Sequence, residues 1–82
     1  MDAVDTLRAF IVNELHYKGA PERLTHDYRL IENHVVDSLG LFMLVSFIEE
    51  QFGVEVGDEE LVAENFGTIG AISKLIERKQ VE

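Results

Sequence analysis

The sequence contains no cysteine, which excludes a disulfide framework and any thiolate metal site. Its glycines are scattered, with neither the G-x-x-x-x-G-K-[ST] phosphate loop nor the G-x-G-x-x-G dinucleotide turn. No stretch approaches the ~20 apolar residues of a membrane span. Cations are scarce: seven Lys and Arg stand against 16 Asp and Glu, a net charge of −9. So acidic a chain is a poor match for DNA, RNA or an anionic membrane surface, because phosphate demands a basic face. It suits a basic protein partner. The N-terminus, Met1-Asp2-Ala3-Val4-Asp5, is acidic where a secretory signal is basic, so a cytoplasmic setting is expected. The 82 residues suffice for one small domain, 1–82, and not for two. A chain this short buries only ~60% of its unfolded surface, which implies simple topology and modest stability.

What is there is apolar and helical in period. The hydrophobic fraction of 46% lies well above that of a solvating acidic tail. Val4, Leu7, Ile11 and Leu15, with Phe10 beside them, mark one face of a helix from about Asp2 to His16. Gly19-Ala20-Pro21 ends it. Residues 17–36 form a long connection holding Leu24, Tyr28, Leu30, Ile31, Val35 and Val36. Such a loop is functional or packed down by its own side chains. A second helix is expected from Ser38 to Phe52, capped by Asp37 or Ser38 and stopped by Gly53. Leu44, Phe47, Ile48 and Phe52 form its inner stripe, Leu41 and Val45 widen it, and Phe42 and Met43 lie off its centre. A helix apolar nearly all round is normally fully buried, but this chain is too small for that. Either the long connection covers Leu41, Phe42 and Met43, or some of them are exposed as a contact.

Val54-Glu55-Val56 reads as an extended link. A short helix is expected from Asp58 to about Ala63, with Glu59 and Glu60 in its first turn, and a break at Asn65-Phe66-Gly67. Thr68 then caps a last helix to about Lys79, with Ile69, Ile72, Leu75 and Ile76 on one face. The expected fold is all-α: a small four-helix bundle of three longer helices and one short one. Its expected core is Leu7, Ile11, Leu15, Leu30, Leu44, Phe47, Ile48, Phe52, Phe66, Ile69, Ile72 and Ile76.

The acidity is concentrated. Residues 37–66 hold Asp37, Glu49, Glu50, Glu55, Asp58, Glu59, Glu60 and Glu64 and no Lys or Arg. A solvated helix face usually mixes signs, so the block suggests a docking surface, the alternative being a merely solubilising one. Catalytic constellations are missing. His16, His26 and His34 are spaced ten and eight apart, no H-E-x-x-H occurs, the carboxylates lack EF-hand spacing, and no metal site is expected. Ser38 is not in a G-x-S-x-G elbow. His34, Asp37 and Ser38 invite a hydrolytic triad, but Asp37 adjoins Ser38 and so small a bundle encloses no pocket. Asp37-Ser38-Leu39 itself remains. It is either a plain cap with a core leucine, or a site where a phosphate ester on Ser38 meets free N–H groups at a helix N-terminus. A non-enzymatic acidic interaction module, binding through Leu41, Phe42 and Met43 without any prosthetic arm, is the alternative function.

The run Leu30-Ile31-Glu32-Asn33, then Val36-Asp37-Ser38-Leu39, resembles the acyl and peptidyl carrier proteins. Leu44, Phe47, Ile48-Glu49-Glu50, Phe52, Val54-Glu55-Val56, Asp58-Glu59-Glu60-Leu61, Asn65-Phe66, Thr68-Ile69 and Ala71-Ile72 extend the likeness over nearly the whole chain. It looks closest to stand-alone carriers paired with an AMP-forming acyl or amino acid ligase. The resemblance implies a non-catalytic monomer whose Ser38 receives 4′-phosphopantetheine from coenzyme A through a phosphopantetheinyl transferase. The arm's thiol then carries acyl or aminoacyl cargo, as a thioester, to downstream acyl-processing enzymes. It also implies partner recognition through Asp37, Leu39, Leu41, Phe42, Met43, Glu49 and Glu50 and through Asp58, Glu59 and Glu60. Gly40 and Met43 stand where fatty-acid-type carriers commonly have acids, which favours a dedicated partner with a greasier contact. His34 stands where related stand-alone carriers often have glycine.

Overall fold

Periodic apolar residues become helices in the computed structural model, which describes residues 3–15 and 17–81. The expected ends of the first helix, Asp2 and His16, lie outside the described residues. Four α-helices follow in order: α1 (Ala3–Glu14), α2 (Ser38–Phe52), α3 (Ala63–Phe66) and α4 (Ile69–Val81). Short 3-10 turns occupy Pro21–Arg23 and Asp58–Glu60. Among the described residues there is no strand, and the fold is the expected helical bundle with α3 as its short member.

α4 is the hub and packs against α1, α2 and α3. Its buried side chains, Ile69, Ile72, Leu75 and Ile76, recur at three and four residues, the spacing of a single helix face. They meet Leu7 and Ile11 of α1, Leu44 and Ile48 of α2, and Phe66 of α3. α1 and α2 meet through Phe10 and Phe47, whose rings stack with centroids 4.2 Å apart, and Phe52 lies edge-on to Phe47. Thr68 caps α4 as expected, its hydroxyl accepting from the Ala71 N–H at 3.1 Å.

The long connection is packed down, at three points. Leu24, Leu30 and Val36, six residues apart, are buried in the core. The Leu24 carbonyl accepts from Arg8 Nε of α1 at 2.8 Å. The Leu30 N–H donates to the Gly67 carbonyl at 2.8 Å, and the Gly70 N–H to the His26 carbonyl at 2.7 Å. Gly70 permits that approach, since a Cβ there would lie 2.8 Å from the His26 carbonyl oxygen. The loop is thereby fixed to the junction of α3 and α4, and it delivers residues 31–37 to the start of α2.

Two expectations need correcting. The short helix does not run from Asp58 to Ala63. The Asp58–Glu60 segment is a single 3-10 turn, because Glu60 folds its carboxylate back onto the Gly57 N–H at 2.9 Å. The chain then extends at Val62, and α3 begins at Ala63, running through the expected break at Asn65 and Phe66. Burial of Phe66, 1% exposed, holds this one-turn helix. The core also differs at its edges: Leu15, Phe47 and Phe52 are half-buried, whereas Leu24, Val36, Val54 and Leu75 are interior. The inner stripe of α2 is narrower than the sequence implies: Phe10 of α1 stacks on Phe47 and Phe52 meets Phe47 edge-on, which leaves both rings of α2 half-buried.

Candidate functional site at the start of helix α2

Asp37 decides the site's geometry. Its backbone is extended (φ −106°, ψ −168°), and its side chain accepts the Gly40 N–H at 2.8 Å. Its carbonyl takes the Leu41 N–H, also at 2.8 Å. Asp37 is therefore the N-cap, and Ser38 is the first helical residue, relieved of capping. Ser38 is exposed, and no hydrogen bond engages its hydroxyl among the described residues. Among the described residues the Asp37 carboxylate takes the helix end and not a histidine, so no triad is assembled at Ser38.

The segment before Asp37 forms one side of an open groove of about 380 Å³ lined by Ile31, His34, Val36, Asp37, Ser38 and Leu41. It is shaped by a tight reversal. The Val35 N–H returns to the Leu30 carbonyl at 2.8 Å and the His34 N–H to the Ile31 carbonyl at 3.1 Å. This paired pattern is the one that closes helical turns with a left-handed residue, most often glycine. Here that residue is His34, with φ 61°.

Beyond Ser38 the front of α2 is apolar and partly bare. Leu39 is 70% and Phe42 76% exposed. Leu41 is half-buried against the core and shares the Ser38 groove with Ile31 and Val36 of the long connection, whereas Phe42 is bare. Met43 is also half-buried and shares an open groove with Phe10, Phe42, Ser46, Phe47 and Glu50. Gly40 is buried, with the Asp37 carboxylate 3.3 Å and Leu15 side-chain carbons 3.6 and 3.7 Å from where a Cβ would stand; this position faces the helix cap and Leu15, just past α1, and is not on the surface.

The acidic residues divide by role. Glu50, Asp58 and Glu59 are exposed. Glu49 accepts the Val56 N–H at 2.9 Å and so fastens the link after α2. Glu60 is engaged from two sides, by the Gly57 N–H and by Lys79 Nζ at 2.8 Å. The Lys79 hydrogen bond, helped by the Gly57 N–H, pulls the Glu60 carboxyl below its usual range. The expected docking residues are thus not one patch. Leu39, Phe42, Met43 and Glu50 lie along α2, Asp58 and Glu59 on the following turn, and Glu49 and Glu60 are internal ties. Leu61 and Val62, 37% and 45% exposed, add apolar surface that no periodicity marked. Among the described residues no cluster of three or more His, Asp or Glu side chains can hold a metal ion. Among the same residues no helix is long and apolar enough to cross a membrane.

A small helical bundle with an exposed serine at a helix start has the form that the carrier resemblance implies. Residues 5–76 match the family described as phosphopantetheine attachment site. The acyl carrier protein of Wolinella succinogenes is 32% identical over 77 residues, covering 94% of this chain and 96% of that one. The acyl carrier protein of Chlamydia trachomatis serovar D is 34% identical over 80 residues, covering 98% and 99%. A chain in the crystal structure of an FAD-dependent dehydrogenase superposes with a TM-score of 0.76 at 31% identity, over 85% of this chain and 97% of that one. The chain belongs to the acyl carrier family.

It is accordingly a non-catalytic carrier with a covalently attached 4′-phosphopantetheine, and membership implies a phosphopantetheinyl transferase and acyl-processing enzymes as partners. The residues present fit that group. A free hydroxyl stands at a helix N-terminus, where N–H groups favour an anion. The adjoining groove offers apolar walls in Ile31, Val36 and Leu41 and is open enough to admit a flexible chain.

Proposed function

We propose that Ser38 is the attachment residue of a stand-alone, cytoplasmic, monomeric carrier of one domain, loaded by an AMP-forming acyl or amino acid ligase. The carrying observation is the division of labour between Asp37, which caps α2, and Ser38, whose exposed hydroxyl has no partner among the described residues. The arm supplies a thiol that holds cargo as a thioester. The chain's own residues do the rest: Asp37 sets the helix start, Ser38 offers the hydroxyl, and Leu39, Phe42 and Met43 give a greasy contact beside Glu50, Asp58 and Glu59. A chain in a crystal structure of an FAD-dependent dehydrogenase shares this fold, and a flavin-dependent oxidation of the tethered cargo is the downstream step we propose.

The test is intact mass spectrometry after incubation with coenzyme A and a promiscuous phosphopantetheinyl transferase. One phosphopantetheine mass is expected on the wild-type chain and none on Ser38→Ala. An arm retained by Ser38→Ala would sink the assignment. Presenting the loaded chain to candidate AMP-forming ligases with ATP and a panel of carboxylic and amino acids then reads out the cargo. Loading only from acyl-coenzyme A would count against the ligase pairing.

A further inference from the structure

The backbone at His34 is unusual for its residue type. It is the one non-glycine residue with positive φ among the described residues, and β-carbon sterics disfavour that region for a histidine. The conformation is imposed from outside. The Leu30 carbonyl receives both the Val35 and Val36 N–H groups, at 2.8 and 3.2 Å, and Leu30 is itself buried and tied to Gly67. The turn would form more easily with glycine, so the turn does not explain the side chain. The imidazole is exposed and takes part in no hydrogen bond or ion pair among the described residues. It lies in the same groove as Ser38.

The electrostatics of that groove give it a task. A phosphodiester on Ser38 is an anion, and the charged side chain beside it is Asp37, of like sign. Asp37 already takes the Gly40 N–H, so one of the helix's first donors is withheld from the phosphate. No Lys or Arg lines the groove. The nearest cation on the turn, Arg29, is paired with Glu32 at 2.8 Å. His34 is the groove's one nitrogen-bearing side chain, and imidazole has an N–H donor in either neutral tautomer as well as when charged. Building on the assignment of the arm to Ser38, we propose that His34 is a positioning residue. From its left-handed turn it donates a hydrogen bond to the arm's phosphodiester and starts the arm along the wall formed by Ile31, Val36 and Leu41.

The experiment uses the full chain, apo and loaded, with loading verified by intact mass. Histidine ring 15N–1H spectra are compared before and after loading, and the phosphorus resonance of the arm is compared between wild type and His34→Gly. Glycine suits the left-handed turn, so this variant keeps the fold. The His34 ring resonances should shift on loading, whereas those of His26, which lines a separate groove against α4, should stay put. The phosphorus resonance should move in His34→Gly. A fully loaded protein with unmoved His34 ring resonances, or with the same phosphorus resonance in the variant, overturns the inference alone. Absence of the arm, or its persistence in Ser38→Ala, overturns the Ser38 assignment and this inference with it.

Discussion

At the scale of single residues, the site is built from conformational choices that leave one hydroxyl unused. Asp37 satisfies the helix end and His34 closes the preceding turn at φ 61°. His34 also gives a stability prediction with a definite sign. Holding a non-glycine residue in the left-handed region costs about 1–2 kcal/mol, while glycine loses about 0.5–1 kcal/mol more backbone freedom on folding. His34→Gly should therefore stabilise the chain by about 0.5–1 kcal/mol, seen as a higher urea midpoint with an unchanged slope. A lower midpoint would mean that the imidazole makes a stabilising contact in the apo chain. Gly53, at φ 67° at the end of α2, was legible in sequence because glycine is the common residue there. His34 was not, since a histidine carries no signal for that conformation.

At the scale of elements, what the sequence revealed depended on length. α1, α2 and α4 repeat their apolar face over three turns or more, so their existence follows from periodicity, and the α2 boundaries follow from the cap at Asp37 and the stop at Gly53. α3 has four residues and one buried anchor, too few for a period. The acids at 58–60 imitate a helix start but serve a 3-10 turn locked by Glu60. The same limit explains the misplaced core members: Phe47 has the right phase, yet only packing reveals that α1 covers just part of it. Phe66→Ala should cost about 3–5 kcal/mol, close to the whole stability of a domain near ~5 kcal/mol. Half-buried Phe47→Ala, losing its stack on Phe10, should cost only about 1–2 kcal/mol. Equal losses by urea denaturation would contradict this ranking. The Glu60–Lys79 tie adds a pH signature. The folded carboxyl titrates below the ordinary 4.5, chiefly through Lys79, so its contribution is present above that value. It is lost as pH falls through the folded pKa. The melting temperature should drop more steeply below pH 4.5 in wild type than in Glu60→Gln.

For the whole molecule, the proposed docking surface divides its work: the net charge of −9 would set how partners arrive, and the bare apolar front of α2 how they stay. Glu49 and Glu60 are tied up internally, whereas Glu50 on α2 and Asp58 and Glu59 on the following turn are exposed, as are Leu39 and Phe42. Exposed charges act over a Debye length of about 8 Å at physiological salt and chiefly change association rates. A buried aromatic anchor chiefly changes dissociation, and its truncation typically removes about 2 kcal/mol, roughly 30-fold. The two contributions separate in one assay, the kcat/KM of arm transfer from coenzyme A by the transferase across a salt series. Wild-type kcat/KM should fall as salt rises. Asp58→Asn with Glu59→Gln should flatten that dependence and converge with wild type at high salt, because screening removes what the substitutions remove. Phe42→Ala should lower kcat/KM by up to about 30-fold at every salt concentration and leave the dependence intact, because an apolar contact is not screened. A salt-independent wild type would deny the acidic block any role in docking. An unimpaired Phe42→Ala would move the contact off this face of α2.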